Sequence, residues 1–403
     1  MFFFYFFATI VILLGVASLQ GGFRFAGYIR KQLQQVTPEF TPFVSVIAPC
    51  RGQEAGLKEN LCALLRQDYP AYEVVFVAGQ PDDSAWSTIK EVSDSAKVNT
   101  QLNTKSVVAG PAIDCGQKVH NLRVAVQETD SRSQVFVFVD SDARPDAGWL
   151  RSLVAPLHDE LVGAATGYRW FIPARGGMAS HLRSVWNASI ASALGERGDK
   201  NFCWGGSTAI RRSTFSDLQV SERWRGTVSD DFTLMRTLRE ARLPIRFVPA
   251  CLVVSVGDCS LHELFEFTTR QLKITRVYAS HFWRSVLLGS LLFTLVFFGG
   301  IALVLARLSL NLSIGWPVVL LLMVFVLGAT KGLIRLKAVQ LVLPEYSVVS
   351  AGSLLAHVLL WPATSLLYLY NALAAACSRR IKWRGITYEL KTPTEAVIIS
   401  REE

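Results

Sequence analysis

Charge is scarce in this chain: of its 403 residues only 18% are charged, while 51% are hydrophobic. That balance is too apolar for a protein that meets water on every side. The seven cysteines (Cys50, Cys62, Cys115, Cys203, Cys251, Cys259, Cys377) are odd in number and form no Cys-x-x-Cys pair. This excludes a disulfide framework or a structural zinc site and fits thiols kept reduced. No nucleic-acid-binding motif accompanies the formal charge of +9, so the excess of Lys and Arg suits an anionic membrane surface or phosphorylated ligands, and no nucleic acid is expected as a partner. The apolar N-terminus has neither a basic leading region nor a small-residue cleavage site, which argues against a removable signal peptide and for a retained anchor.

The apolar excess sits at the two ends. Residues 2–19 carry no charge and are long enough to cross a hydrocarbon core of roughly 30 Å as a helix. Further spans are expected at 285–306, at the shorter stretch 316–330, and at 348–375, which is long enough to cross with tilt. The chain therefore divides into an anchor at 1–22, a water-soluble domain at 41–260, amphipathic interface helices at 261–284, about three or four C-terminal spans within 285–376, and a tail at 377–403. Arg24, Arg30 and Lys31 after the first span put the central domain in the cytoplasm, and Arg379, Arg380, Lys382 and Arg384 put the tail there too. Three crossings between them would leave the tail on the other side, so either one segment is re-entrant or an extra pass lies within 333–350.

In the central domain, apolar runs at 43–49, 72–78, 106–108 and 135–139 read as buried strands, and 57–66, 86–95 and 118–128 read as helices. This alternation predicts an α/β fold with a largely parallel, Rossmann-like sheet. Residues 162–169 read as an edge strand and 202–208 as a Gly-rich turn.

The strand at 135–139 stops at Asp140-Ser141-Asp142, and the carboxyl ends of parallel strands are where such sheets bind ligands. Two carboxylates one residue apart can hold Mg²⁺ or Mn²⁺ and leave positions free for the oxygens of a diphosphate, which points to a nucleotide-sugar site; a solvated turn would use the same residue types. Arg51 and Glu54 follow the first strand, and Asp82 and Asp83 the second, so polar groups converge on one sheet edge. Lys118, in Gly116-Gln117-Lys118, opens a helix and offers a cation to phosphate, or is a plain surface lysine. His120 reads as an interfacial histidine. Gly205 and Gly206 allow backbone to approach a ligand, or serve a tight turn. Asp230 and Asp231 start a helix; an N-cap explains one of them, not both.

The order of these signals (Pro49-Cys50-Arg51-Gly52-Gln53-Glu54, Gln67-Asp68-Tyr69-Pro70, Asp82-Asp83-Ser84-Ala85, Gly116-Gln117-Lys118, Asp140-Ser141-Asp142, Trp204-Gly205-Gly206, Ser229-Asp230-Asp231-Phe232) resembles family 2 glycosyltransferases of the GT-A fold. Within them it is most similar to the ceramide glucosyltransferase-like branch, from about residue 40 to 278 and again at Trp383-Arg384-Gly385-Ile386-Thr387-Tyr388. The resemblance implies nucleotide contact by Asp83, with Asp82 as alternate, metal binding by Asp142 supported by Asp140, and a catalytic base at Asp231, with Asp230 beside it. It implies uridine and phosphate contacts at Glu54 and Lys118, with Pro49, Arg51, Gly205 and Gly206 in the same donor site. A Gln-x-x-Arg-Trp motif is expected after an interface helix; the best match runs from Gln271 to Arg276, with Lys273 in place of the arginine and Ile274 in place of the tryptophan. Lysine keeps a point charge but loses the planar fork, and isoleucine cannot stack on a sugar. Arg276 is the candidate to supply the missing guanidinium.

The expected activity is inverting, Mn²⁺- or Mg²⁺-dependent transfer of one sugar, glucose by resemblance, from a UDP-sugar donor to a membrane lipid hydroxyl (ceramide, diacylglycerol or hopanoid-like). The enzyme alternatives are a processive polysaccharide synthase and a polyprenyl-phosphate glycosyltransferase. A non-catalytic membrane-anchored scaffold that binds nucleotide sugar is the alternative of another class.

Overall fold

The computed structural model describes residues 1–402 apart from Glu54, Ala55, Thr100, Gln101 and Ser347. Seven strands form one sheet: β1 (Val44–Pro49), β2 (Tyr72–Ala78), β3 (Asn103–Val108), β4 (Val135–Phe138), β5 (Ala164–Ile172), β6 (Thr208–Arg211) and β7 (Ile245–Val256), in the order β3-β2-β1-β4-β6-β5-β7. Every residue of β1, β2 and β4 is buried, as strands covered on both faces must be, which is why they read as unbroken apolar runs. β1 pairs in parallel with β2 and β4, and β2 with β3. The helices Leu57–Leu64, Ala85–Asn99 and Gln117–Gln127 fall between successive strands of this set. β6 runs antiparallel to β4 and β5. The sheet is the α/β, mostly parallel arrangement expected of a GT-A-type domain.

The strand expected at the edge is not there. β5 lies inside the sheet, between β6 and β7. β7 contains Pro249, a residue that argues against a strand in sequence. Gly163 N–H donates to Pro244 O (2.9 Å) at the start of this pairing, and Gly167 faces Cys251 so closely that a Cβ would collide with its carbonyl oxygen.

The chain forms two compact units. The sheet unit comprises Gln32–Trp170, Leu194–Ser255 and Arg379–Glu403. It includes a C-terminal antiparallel sheet of β8 (Arg380–Trp383), β9 (Ile386–Thr392) and β10 (Glu395–Arg401). Tyr388 Oη accepts from Gln117 N–H (3.1 Å), and Arg401 donates to Ala112 O and Gln117 Oε1. These bonds join the tail to the start of the helix that carries Lys118.

The other unit comprises Met1–Lys31, Phe171–Ala193 and Val256–Ser378. Three of its helices, Phe2–Gln34, Ser280–Ser309 and Gly315–Val342, are long and apolar enough to cross a membrane. The third is much longer than the stretch 316–330 read from sequence, because the helix continues through Lys331 and Arg335; Lys331 Nζ donates to Ser18 Oγ (2.8 Å) on the first helix. The expected span at 348–375 is broken: Ala351–Leu359 and Trp361–Cys377 meet at 60°. Pro362 at the start of the second helix cannot supply the N–H that a continuous helix would need.

Candidate active site

Asp140 and Asp142 follow β4, on a loop held from behind. Asn60 Nδ2 donates to Ser141 O (3.1 Å), and Arg144 Nε donates to Asn60 Oδ1 (2.9 Å). Lys118, in the first turn of its helix, reaches into the same place, its Nζ 2.8 Å from Asp140 Oδ1 and 3.1 Å from Asp230 Oδ1. Its side chain is only 15% exposed. The ammonium thus joins the end of β4 to the N-terminus of the helix Asp230–Glu240.

That N-terminus is built by Ser229, whose Oγ accepts from Phe232 N–H (3.3 Å) as the N-cap and donates to Asp231 Oδ1. Asp231 Oδ1 also accepts from Phe232 N–H (2.7 Å). Capping therefore occupies Ser229 and one oxygen of Asp231, while Asp230, 5% exposed, is bound by Lys118.

Gly205 is small for a packing reason: a Cβ there would lie 2.6 Å from Lys118 Nζ and closer still to Asp230 Oδ2. Gly206 makes room for the Trp204 ring, whose Cε2 would be 2.6 Å from such a carbon. Trp204 in turn lies under the Arg169 guanidinium of β5, 4.9 Å from ring to cation. Arg169 Nη1 donates to Asp142 Oδ2 (3.1 Å), and Nη2 donates to Asp142 Oδ1 (3.2 Å) and Asp140 Oδ2 (3.3 Å).

Burial and charge act against each other across this network. Burial opposes the charge of Lys118, yet Asp140, Asp230 and Asp231 together hold its ammonium above the ordinary lysine value. Burial pushes the Asp230 carboxyl up to about 6, with Asp231 and Asp140 adding to the rise and Lys118 resisting it. For Asp140 burial also works upward, but Lys118 and Arg169 prevail and hold it below the usual carboxylate range.

A divalent cation fits this donor set. Asp140 Oδ2 and Asp142 Oδ1 converge on a single positive nitrogen, Arg169 Nη2, and both are the hard oxygen donors that Mg²⁺ and Mn²⁺ prefer. Among the described residues no group of three or more His, Cys, Asp and Glu could hold a metal, so the remaining positions on the cation would fall to a ligand.

Asp83 Oδ1 accepts from Gly52 N–H (2.8 Å) and Ala85 N–H (2.9 Å). It therefore ties the loop after β1 to the helix after β2, while Asp82 beside it is exposed. Pro49 ends β1 opposite Val77, and Arg51 beyond it is half-buried; burial and the nearby Arg51 charge lower the pKa of Arg384 in the tail. Glu54 lies outside the described residues. His120 Nε2 bonds to Ala109 O (2.9 Å), the interfacial arrangement read from sequence.

Gln271, Lys273 and Arg276 belong to the other unit, on the helix Leu261–Tyr278. Arg276 Nη1 donates to Ala375 O and to Ala376 O (2.8 Å) and its guanidinium lies 5.4 Å from the Trp283 ring, so it closes the end of another helix. Counted strictly, a Gln-x-x-Arg-Trp motif with Lys273 in the arginine position opens at Arg270 rather than at Gln271. The residue that sequence reasoning missed is Arg169; the one available signal was a charged side chain within an otherwise apolar strand.

The family model described as "Glycosyl transferase family 21" matches residues 7–396. The chain belongs to glycosyl transferase family 21. It is a glycosyltransferase, and the family 2 label expected from the sequence gives way to this one. No curated protein matches the chain. Among solved structures it is similar to the mannosyltransferase PcManGT from Pyrobaculum calidifontis, in complex with GDP-Man and Mn²⁺, at 17% identity over 92% of this chain and 98% of that one, with a TM-score of 0.47. It is also similar to glucosyl-3-phosphoglycerate synthase from Mycobacterium tuberculosis, in complex with Mn²⁺ and UDP-glucose, at 17% identity over 62% of this chain and 80% of that one, with a TM-score of 0.36.

Proposed function

We propose that this family 21 glycosyltransferase moves a single sugar, glucose by the resemblance of its motifs, from a UDP-sugar to a lipid hydroxyl with inversion at the anomeric carbon. The observation that carries the reading is the buried Lys118 ammonium shared by Asp140 and Asp230. It joins the acids suited to a metal-bound diphosphate to the acids suited to an acceptor hydroxyl. Asp231 takes the acceptor proton as the oxygen attacks the anomeric carbon, and Asp230 and Ser229 position it. Lys118 offsets the negative charge that grows on the departing UDP. A bound Mn²⁺ or Mg²⁺, held by Asp142 and Asp140, supplies further charge stabilisation to that leaving group.

One feature supports a lipid acceptor, and another supports the side of the membrane on which the sheet unit works. The unit with the long apolar helices contains a groove of about 350 Å³ lined only by apolar and aromatic side chains, among them Leu182, Leu261, Leu264, Phe265, Leu366 and Tyr370. The tail strands also belong to the same compact unit as the catalytic sheet. The chain must then cross the bilayer an even number of times between them, which the helices Ser280–Ser309 and Gly315–Val342 provide if the bent pair is re-entrant. With Arg24, Arg30 and Lys31 after the first span, that side is the cytoplasm.

The test is mass spectrometry of lipids from cells expressing the chain, against an Asp231→Asn control. A glycolipid carrying one added sugar is expected. A polymer would favour a processive synthase, and a sugar on polyprenyl phosphate would favour that alternative acceptor. Asp231→Asn should lower kcat by about 10²- to 10⁴-fold while calorimetric UDP binding is retained; undiminished turnover would remove Asp231 from the base role.

A further inference from the structure

Arg169 has no part in the proposed reaction, yet its guanidinium bonds to both carboxylates suited to a metal. Its side chain is 12% exposed, it makes three hydrogen bonds to Asp140 and Asp142, and Trp204 backs it. We propose that Arg169 is the resting counter-ion of the Asp140–Asp142 pair and makes divalent-metal binding contingent on the nucleotide diphosphate. This inference rests on the nucleotide-sugar reading of the site.

A divalent cation and the Arg169 guanidinium compete for the same oxygens. A bare cation approaching Asp140 and Asp142 must evict a guanidinium that already engages both oxygens of Asp142 and one of Asp140. The evicted Arg169 would then be a buried charge stripped of its carboxylates, which is costly. A diphosphate arriving with the cation removes that cost, because phosphoryl oxygens accept the planar fork of a guanidinium as well as a carboxylate does. Metal and guanidinium then each gain an anion, and neither carboxylate is left without a cation. Lys118 remains on Asp140 and Asp230 throughout and holds the rest of the network in place. Arg169 is thus a positioning residue, acting through the two aspartates.

The sign of one measurement separates this role from a purely structural one. If Arg169 only props up the loop, its removal lets the carboxylates splay and weakens metal binding. If it competes with the metal, its removal tightens binding of metal alone. The experiment uses the purified full-length chain in detergent and counts free Mn²⁺ by electron paramagnetic resonance, with and without UDP. For the wild type, UDP should tighten Mn²⁺ binding about tenfold or more; for Arg169→Gln, Mn²⁺ alone should bind about tenfold tighter than in the wild type, and UDP should add little. Arg169→Lys keeps the charge but loses the fork, so bare Mn²⁺ should bind it with an affinity between the two, which keeps the test open should the glutamine variant fail to fold. Affinity for bare Mn²⁺ that is unchanged or weaker in the folded variants overturns the proposal. A wild type that binds UDP in neither the presence nor the absence of Mn²⁺ overturns instead the nucleotide-sugar reading beneath it.

Discussion

In the sheet unit the buried cations of the site face carboxylates: Lys118 bridges Asp140 and Asp230, and Arg169 bridges Asp140 and Asp142. In the unit of apolar helices, Arg335 is 5% exposed and its Nη2 donates to an imidazole, His357 Nδ1, at 3.2 Å; among the described residues no acid pairs with it. Lys118 and Arg335 are both enclosed positive charges, but among the described residues only Lys118 of the two is met by carboxylates. A matched network makes the removal of any member costly, since deleting one charge strands another in low dielectric. An unmatched charge strands nothing when it goes. The difference yields opposite expectations for similar substitutions.

Lys118→Met is the severest test. It leaves the buried Asp230 and the half-buried Asp140 without the ammonium that both share, and removing one partner of a buried ion pair costs about 3–5 kcal/mol. The expected result is a large fall in the thermal midpoint together with loss of UDP binding. A fully stable Lys118→Met chain would show that the acids shed their charge without it. Next in size is Gly205→Ala, whose new Cβ would sit 2.6 Å from Lys118 Nζ and closer to Asp230 Oδ2. Overpacking of this kind costs about 1–3 kcal/mol, and kcat should fall as well, because the displaced pair is the one the proposed reaction uses. A Gly205→Ala variant with unaltered kcat would remove the packing constraint.

Much of the sheet unit is legible in the sequence. β1, β2 and β4 are unbroken apolar runs because parallel strands covered on both faces have no polar side to show, and Asp140 and Asp142 stand out because they end one. β7 is not legible, since Pro249 interrupts its pattern; without it β5 falls at an edge and Arg169 has no site to face. Lys118 can be read as a helix-opening cation, but its partners come from the loop after β4 and from Ser229-Asp230-Asp231, elements that only the fold brings together. In the other unit, Lys331 and Arg335 hide the true length of Gly315–Val342, because a hydropathy reading stops at charge whether or not tertiary partners accommodate it.

A smaller effect comes from pH. The Asp230 carboxyl is raised to about 6 in the folded chain, against about 3.9 for an unperturbed aspartate, so the native state binds this proton more tightly than the unfolded one. Its stabilising contribution is therefore complete below the unfolded value and lost as pH rises through about 6. Asp230→Asn has no such proton. The thermal midpoint of the variant minus that of the wild type should increase between about pH 4 and pH 6.5, whatever constant offset the lost contact with Lys118 adds. A difference that is flat or falling across this window would place Asp230 among ordinary carboxylates and weaken the account of a crowded acid cluster around Lys118.

The smallest effect is expected at Arg335, the unmatched cation of the apolar unit. Arg335→Met keeps a side chain of similar reach, forfeits one hydrogen bond to His357, worth about 1 kcal/mol, and removes the cost of holding a guanidinium away from water. The two effects oppose each other, so the thermal midpoint in detergent should move little, and upward if burying the charge costs more than the hydrogen bond returns. The contrast with Lys118→Met then isolates the cause, because both substitutions delete a buried cation and only one leaves carboxylates behind. A loss for Arg335→Met as large as that for Lys118→Met would break the comparison: it would mean that an anion not contributed by the described residues lies against Arg335. Repeating the melt after delipidation and after adding back an anionic phospholipid would identify a lipid phosphate as that anion if wild-type stability, but not that of Arg335→Met, follows the lipid.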